Sequence, residues 1–388
     1  MSPTEPGERY PALDIIRGVA LLGVLLVNIQ TLFCVSLFSY ILNPPSDFVS
    51  AAVARIFEFR SFDLFCLCFG AGVGIQAERN PEPVAFLLRR FGILLLFGLG
   101  HLFLVWNGEI LTLYAVCGLL LLPFLRLRPL WLGAAGIAWL LLPRVVPFGA
   151  LIPGESAIRA QAAAAHLVYP NAGYWEILRF RIAETVHFIL PILWATLPRA
   201  VSLMLIGGAI WRAGVLRKPE EHRRWLLLTV VIGLAAGLVM DFDIPQALAY
   251  GAAILLWGRS WSWFAPVGQM ALTNYLTQSF ILTFLFYGFG LGLFGRTSPL
   301  AGLGIGLVLY MAQVLFSHWW IRRFRFGPFE WIWRSLTYRR RQPMAVVRSG
   351  QEALPELRRH QRAGFDPAPA IAGDPVVDEI AESDREYL

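Results

Sequence analysis

Apolar runs of helical length recur along most of the chain and are broken by short polar turns, many bearing arginine. Crossing ~30 Å of hydrocarbon takes ~20 helical residues. Runs of that order are read at about 13–35, 61–78, 87–106, 110–125, 129–147, 193–211, 225–240, 245–258, 266–289 and 300–321. The alternating ten-residue segments of a membrane β-barrel do not appear. The expected fold is therefore all-α: a polytopic transmembrane helical bundle of about ten spans. The first run, "LDIIRGVALLGVLLVNIQTLF", is too long for a cleaved signal segment and reads as a retained span.

The charges set the expected orientation. With the N-terminus in the cytoplasm, the cytoplasmic loops receive Arg79, Arg89 and Arg90, then Arg126 and Arg128, then Arg212, Arg217, Lys218, Arg223 and Arg224, then Arg259. The opposite turns "WNGE" and "DFD" carry no basic residue, so both termini are expected to be cytoplasmic. A membrane domain over 1–340 and a disordered cytoplasmic tail over 341–388, acidic and proline-bearing, follow from the change of composition. Two segments interrupt the rhythm. Residues 51–60, "AAVARIFEFR", read as an interfacial amphipathic stretch. An outer-side amphipathic insertion covers about 148–192, where Arg181, Glu184 and His187 fall on roughly one helical face as a solvated surface or as a lid over an outward-facing site.

Composition sharpens this picture: 57% of the residues are hydrophobic and 15% charged, against roughly a quarter charged in soluble domains. The formal charge of +7 resides at helix ends, which speaks against nucleic-acid binding. Cys34, Cys66, Cys68 and Cys117 lie in apolar segments with no disulfide or metal spacing, so no metal is expected. The glycines of "LCFGAGVGIQAER" follow a helix and not a strand. They read as helix-packing positions, not a dinucleotide loop.

An ionisable side chain inside the bilayer costs at least ~2.5–3.5 kcal/mol on insertion scales and so calls for a reason. Arg17 and Asn28 are eleven apart, about three turns, and share nearly one face. Either Arg17 snorkels and Asn28 joins two helices, or both serve a site. His101, Asn107, Glu109 and Tyr114 gather around the hairpin "HLFLVWNGEILTLY", where an imidazole near a carboxylate suggests an acid–base pair. Backbone satisfaction of His101 and helix-end stabilisation of Glu109 are the plainer readings. In "GQMALTNYLTQS", Asn274 with Gln278 and Thr273 with Thr277 form a polar stripe that either glues helices or lines a tunnel.

The ordered motifs "LDIIRGVALLGVLLVN", "FDLFCLCFGAGVG", "RRFGILLLFGLGHLFLVWNGEILTLYAVCGLL", "LMLIGGAIWRAGVL", "GQMALTNYLTQS" and "WWIRRFRFGPFEWIWRSLTY" resemble the YeiB-type bacterial membrane proteins, the domain of unknown function 418 group. That resemblance implies a fold distantly related to transmembrane acyltransferases, and a multi-pass place in the bacterial inner membrane. Acyltransferase-three enzymes pair an Arg with a His eleven residues on. Here Arg17 stands at the Arg position and Asn28 replaces the His, as in heparan-glucosaminide-type enzymes, which take their His from elsewhere. Glu109 stands where the YeiB pattern usually has Asp, and Gln269 where it commonly has Arg.

The resemblance implies transfer of an acyl group from a cytoplasmic donor to a hydroxyl or amine of a cell-envelope or exported molecule. Acyl-coenzyme A would be a co-substrate, with no bound cofactor. His101 would be the base, Glu109 its orienting acid and Asn28 an oxyanion donor. Arg17, Arg89 and Arg90 would bind donor phosphates, and Asn107, Tyr114, Thr273, Asn274 and Gln278 would line the cavity. Expected partners are membrane lipid, a small-molecule, glycan or lipid acceptor and, in a homodimer, a second copy. A proton-coupled small-molecule or lipid transporter or flippase is the rival, and a structural or regulatory protein without turnover the third reading.

Overall fold

The computed structural model describes residues 10–44 and 46–346. It divides into a compact unit, residues 1–344, and a second unit, residues 345–388, so the expected tail lies almost wholly outside the described residues. The described residues are helical, with no β-strand among them.

Sixteen α-helices follow in order: α1 Pro11–Asn28, α2 Leu37–Leu42, α3 Phe48–Phe57, α4 Arg60–Arg79, α5 Pro83–Gly100, α6 Leu111–Leu120, α7 Pro129–Leu141, α8 Glu155–Val168, α9 Tyr174–Glu184, α10 Leu190–Arg212, α11 Arg223–Met240, α12 Asp243–Trp257, α13 Ala265–Gln269, α14 Ala271–Phe286, α15 Pro299–Ile321 and α16 Pro328–Tyr338. Five continuous helical stretches are long and apolar enough to cross a membrane: Pro11–Phe33, Pro83–Val105, Tyr174–Arg212, Arg223–Met240 and Pro299–Ile321. The remaining expected spans are also helical. Yet α6, α7, α12 and α14 fall short of the ~20 residues a full crossing takes, and α4 carries Arg60, Asp63 and Arg79.

Three one-turn π-helices occur among the described residues: Ile29–Phe33 and His101–Val105 end the helices begun by α1 and α5, and Thr185–Ile189 lies between α9 and α10. The last joins α9 to α10, giving one rod of 39 residues from Tyr174 to Arg212. The insertion expected at 148–192 is therefore not separate: its final part is the first part of a long helix. Nor is the face bearing Arg181 and Glu184 uniformly solvated. Both are buried, while His187 is exposed and pairs with the Ala183 carbonyl at 2.8 Å.

Glycine brings α4 and α10 together, as the sequence predicts. A Cβ at Gly70 would stand 1.8 Å from the Met204 carbonyl oxygen, and one at Gly207 2.1 Å from that of Leu67, so each glycine admits the other helix's backbone. Charged groups tie the same helices near one end. Arg199 of α10 donates twice to the fully buried Asp63 of α4, at 2.9 and 2.7 Å, and once to Asp243 of α12 at 2.7 Å. Arg60, also buried, reaches Asp241 at 2.5 Å and Gln246 at 2.9 Å, and Arg55 meets Asp241 at 2.6 Å. All four cysteines are free and buried.

The two ends of the bundle are distinguishable by their contacts. Phe33, Trp106, Phe286 and Tyr287 cluster where α1, α5 and α14 finish. At the other end α16 packs by Trp333, whose indole N–H donates to the Arg90 carbonyl at 2.9 Å, and by Glu330, which accepts from the Thr273 amide at 3.0 Å and its hydroxyl at 2.5 Å. These are called below the hairpin end and the α16 end.

Candidate functional site

A cavity of about 360 Å³ opens among α1, α4, α5, α6, α14 and α16. On α1 it is lined from Leu13 to Val24, a rise of about 16 Å along the helix. Towards the α16 end its wall carries four guanidinium groups, Arg17, Arg79, Arg90 and Arg334, with Gln76, Gln269 and the carboxylates of Asp14 and Glu330 beside them. Towards the hairpin end the wall turns apolar and aromatic, ending on Ile110, Leu111, Tyr114 and Tyr275.

Local sequence explains this placement. Arg17 bonds Asp14 one turn back at 2.9 Å, which fixes its guanidinium at the cavity wall. A Cβ at Gly268 would lie 1.8 Å from the Asp14 carbonyl oxygen, so a glycine there lets α13 rest directly on α1 and brings Gln269 to the same cavity wall as Arg17. The break between α13 and α14 falls at Met270 (φ −110°, ψ 31°), which ends the helix just past Gln269. Arg90 lies 3.6 Å below the Trp333 ring, a cation–π contact that holds the charge beside the cavity. Arg89 follows a different direction, since successive helical residues point ~100° apart. It does not line this cavity, and its buried Nε has no hydrogen-bond partner among the described residues.

His101 is buried, and neither ring nitrogen has a hydrogen-bond partner among the described residues. Its ring lies 5.4 Å from that of Tyr275 and 6.5 Å from that of Trp106. Glu109 does not pair with it. The carboxylate accepts from the amides of Leu111 and, at 2.9 Å, of Thr112, capping α6. The acid–base pair expected from the hairpin is therefore replaced by a helix cap beside an unpaired imidazole.

The other expected residues fall as follows. Asn28 is half-buried one residue before the first π turn and makes no side-chain hydrogen bond among the described residues. Asn107 donates to Glu184. Thr273 is engaged by Glu330. Asn274 reaches Ser317 at 3.0 Å, and Gln278 reaches Gln313 at 2.7 Å, so the polar stripe of α14 binds α15. Of the five residues expected to line a cavity, Tyr114 lines this one. Its hydroxyl donates to the Phe62 carbonyl at 3.3 Å and receives Cys66 Sγ at 3.5 Å.

Arg181 and Glu184, expected only as part of a solvated or lid-forming face, hold internal contacts instead. Arg181 is fully buried and donates to the carbonyls of Val105 and, at 3.1 Å, Phe103, groups left free by the π turn that begins at His101. Glu184 gathers Tyr169, Asn107 and, at 2.9 Å, Gln161. Charges at 63, 181, 184 and 199 inside or beside apolar runs were the available signal.

The description "Heparan-alpha-glucosaminide N-acetyltransferase, catalytic" matches residues 9–154, and "Protein of unknown function (DUF418)" matches residues 242–340. The chain is 33% identical to the uncharacterised protein YxaH of Bacillus subtilis (strain 168) over 396 residues, covering 89% of this chain and 98% of that one. It is 30% identical to an uncharacterised 39.9 kDa protein in the amylase 3′ region of Bacillus acidopullulyticus, covering 89% and 99%. It is likewise 30% identical to YeiB of Escherichia coli (strain K12), covering 87% and 98%. No solved structure matches the chain.

Proposed function

Since the chain belongs to the DUF418 family with YxaH and YeiB, we propose that it is a transmembrane acyltransferase of the bacterial inner membrane. It takes an acyl group from a coenzyme A thioester at the α16 end, the cytoplasmic side in this reading, and passes it to a hydroxyl or amine arriving from the hairpin end. The observation that carries the proposal is a cavity graded from four arginines to an aromatic end, with a buried, unpaired imidazole just beyond that end. The match of residues 9–154 to an acetyltransferase catalytic description supports the same reaction class.

The chemistry follows from the gradient. Guanidinium groups bind phosphate oxygens by charge-assisted hydrogen bonds, so Arg17 and Arg90 would hold the donor's phosphates. The thioester then lies towards Tyr114 and Tyr275. His101 removes the proton of the attacking hydroxyl or amine, whose oxygen or nitrogen bonds to the thioester carbonyl carbon. The carbon–sulfur bond breaks, and the proton returns to the leaving thiolate. Asn28 is the donor proposed for the developing oxyanion. Glu109 acts through the hairpin it caps, and Arg181 holds the turn on which His101 sits.

Purified protein in lipid vesicles, given labelled acetyl-coenzyme A and a bacterial envelope extract as acceptor, tests this. Label should move covalently to an extract component with release of coenzyme A, and His101→Ala should abolish transfer while leaving the protein folded and inserted. Accumulation of an unmodified solute driven by a pH gradient, with no covalent transfer, would instead establish a transporter.

A further inference from the structure

Tyr275 stands at the inner end of the cavity, between it and His101. Its ring lines the cavity, its centroid is 5.4 Å from that of the imidazole, and His101 is not itself part of the lining. The phenol is held on both sides by the hairpin: its oxygen receives the Ile110 amide at 3.3 Å and donates to the Gly108 carbonyl at 3.3 Å. The surrounding wall is Leu21, Val24, Phe65, Ile110 and Leu111, with Tyr114 adding a second phenol.

A thioester anchored by its phosphates at the arginine end reaches this wall with its acyl group leading. For the carbonyl to come within hydrogen-bond reach of an acceptor activated by His101, the rest of the acyl chain must fit beyond it. That space is filled by the Tyr275 ring. Resting on the acyltransferase reading, we infer that Tyr275 sets acyl-chain length and restricts the donor to acetyl-sized groups. The volume of the ring does the selecting, whereas the hydroxyl only fixes its position. One methylene in an apolar pocket changes discrimination ~10–200-fold, so removing a ring has ample leverage.

The test is calorimetric binding of coenzyme A, acetyl-coenzyme A and hexanoyl-coenzyme A to the full chain in detergent. The wild-type protein should prefer acetyl- over hexanoyl-coenzyme A at least about tenfold. Tyr275→Ala and Tyr275→Leu should reduce that preference at least about tenfold, while Tyr275→Phe keeps it. Coenzyme A without an acyl group should bind all four proteins alike. A wild-type protein with no chain-length preference, or a preference unchanged in both small-residue variants, overturns the inference and leaves the acyltransferase reading standing. Loss of coenzyme A binding itself in both small-residue variants, with the Phe variant intact, also overturns it, because the ring would then support the whole cavity. Failure of the wild-type protein to bind any of the three overturns the acyltransferase reading and the inference with it.

Discussion

Replacing Arg199 by alanine leaves a charge with nowhere to go. Asp63 is fully buried, and both of its oxygens face the Arg199 guanidinium, at 2.9 and 2.7 Å. Removing one partner of a buried pair typically costs about 3–5 kcal/mol, mostly because the other charge is stranded without water. The Arg199 side chain is 25% exposed, so some water can follow the truncation, which points to the lower part of that range, about 3 kcal/mol. Asp243→Asn should behave differently. The Arg199–Asp243 contact lies on the more open side, with Asp243 26% exposed, and Arg199 keeps its bidentate partner, so the loss should stay within about 1 kcal/mol. Denaturant or thermal unfolding of detergent-solubilised protein measures both. The double variant Asp63→Asn with Arg199→Gln should recover much of the loss, since no fully buried charge is then left unpaired and Asp243, 26% exposed, reaches water. If Arg199→Ala unfolds within about 1 kcal/mol of wild type, or no more easily than Asp243→Asn, the account of Asp63 as a stranded buried charge is wrong.

Four further outcomes are expected. Gly70→Ala should destabilise by about 1–3 kcal/mol, because its Cβ would meet the Met204 backbone and push α4 from α10. Gly92→Ala, where nothing lies within 4 Å, should be neutral or slightly stabilising in the same melting assay. Arg17→Gln should weaken coenzyme A binding about 10- to 100-fold in calorimetry, as expected for losing a charged hydrogen bond of about 1.5–3 kcal/mol. The Asp241 carboxyl is held below its ordinary value of 3.8 by the hydrogen bond from Arg60, with Arg55 adding its charge. A depressed carboxyl contributes stability above its unfolded value, and that contribution fades as pH falls through the lower folded one. Unfolding followed from pH 7 to pH 3 should therefore converge for wild type and Asp241→Asn at the acid end, the gap at neutral pH being small because the Asp241 side chain is 62% exposed.

The helical class, the bounds of most expected spans and the packing role of the α4 glycines were readable from hydropathy and spacing, since each depends on near neighbours in the chain, whereas the partner of those glycines, α10, was not. The pairing of Asp63 with Arg199 was not, because residues 136 positions apart meet only once α4 and α10 pack. Arg181 and Glu184 looked like a solvated face because spacing reports which residues share a side, not what covers it. The π turns left no mark at all. Each adds one residue to a helical turn, and so the direction of His101 could not be extrapolated from an ideal helix. The arginines of the cavity were half legible: Arg17 and Arg90 were picked out by charge, while Arg79 and Arg334 waited on the docking of α4 and α16.

The rod from Tyr174 to Arg212 is about 58 Å long at 1.5 Å per residue, nearly twice the ~30 Å of hydrocarbon it can occupy. Roughly half its length must therefore stand in headgroups and water. Its α9 half is strapped to the end of α5, since Tyr174 donates to the Leu104 carbonyl at 2.9 Å and Arg181 to those of Val105 and Phe103, while in its α10 half Gly207 is locked against Leu67. One helix thus joins the turn that begins at His101 to α4, whose Phe65, Phe69 and Val73 form part of the chamber wall.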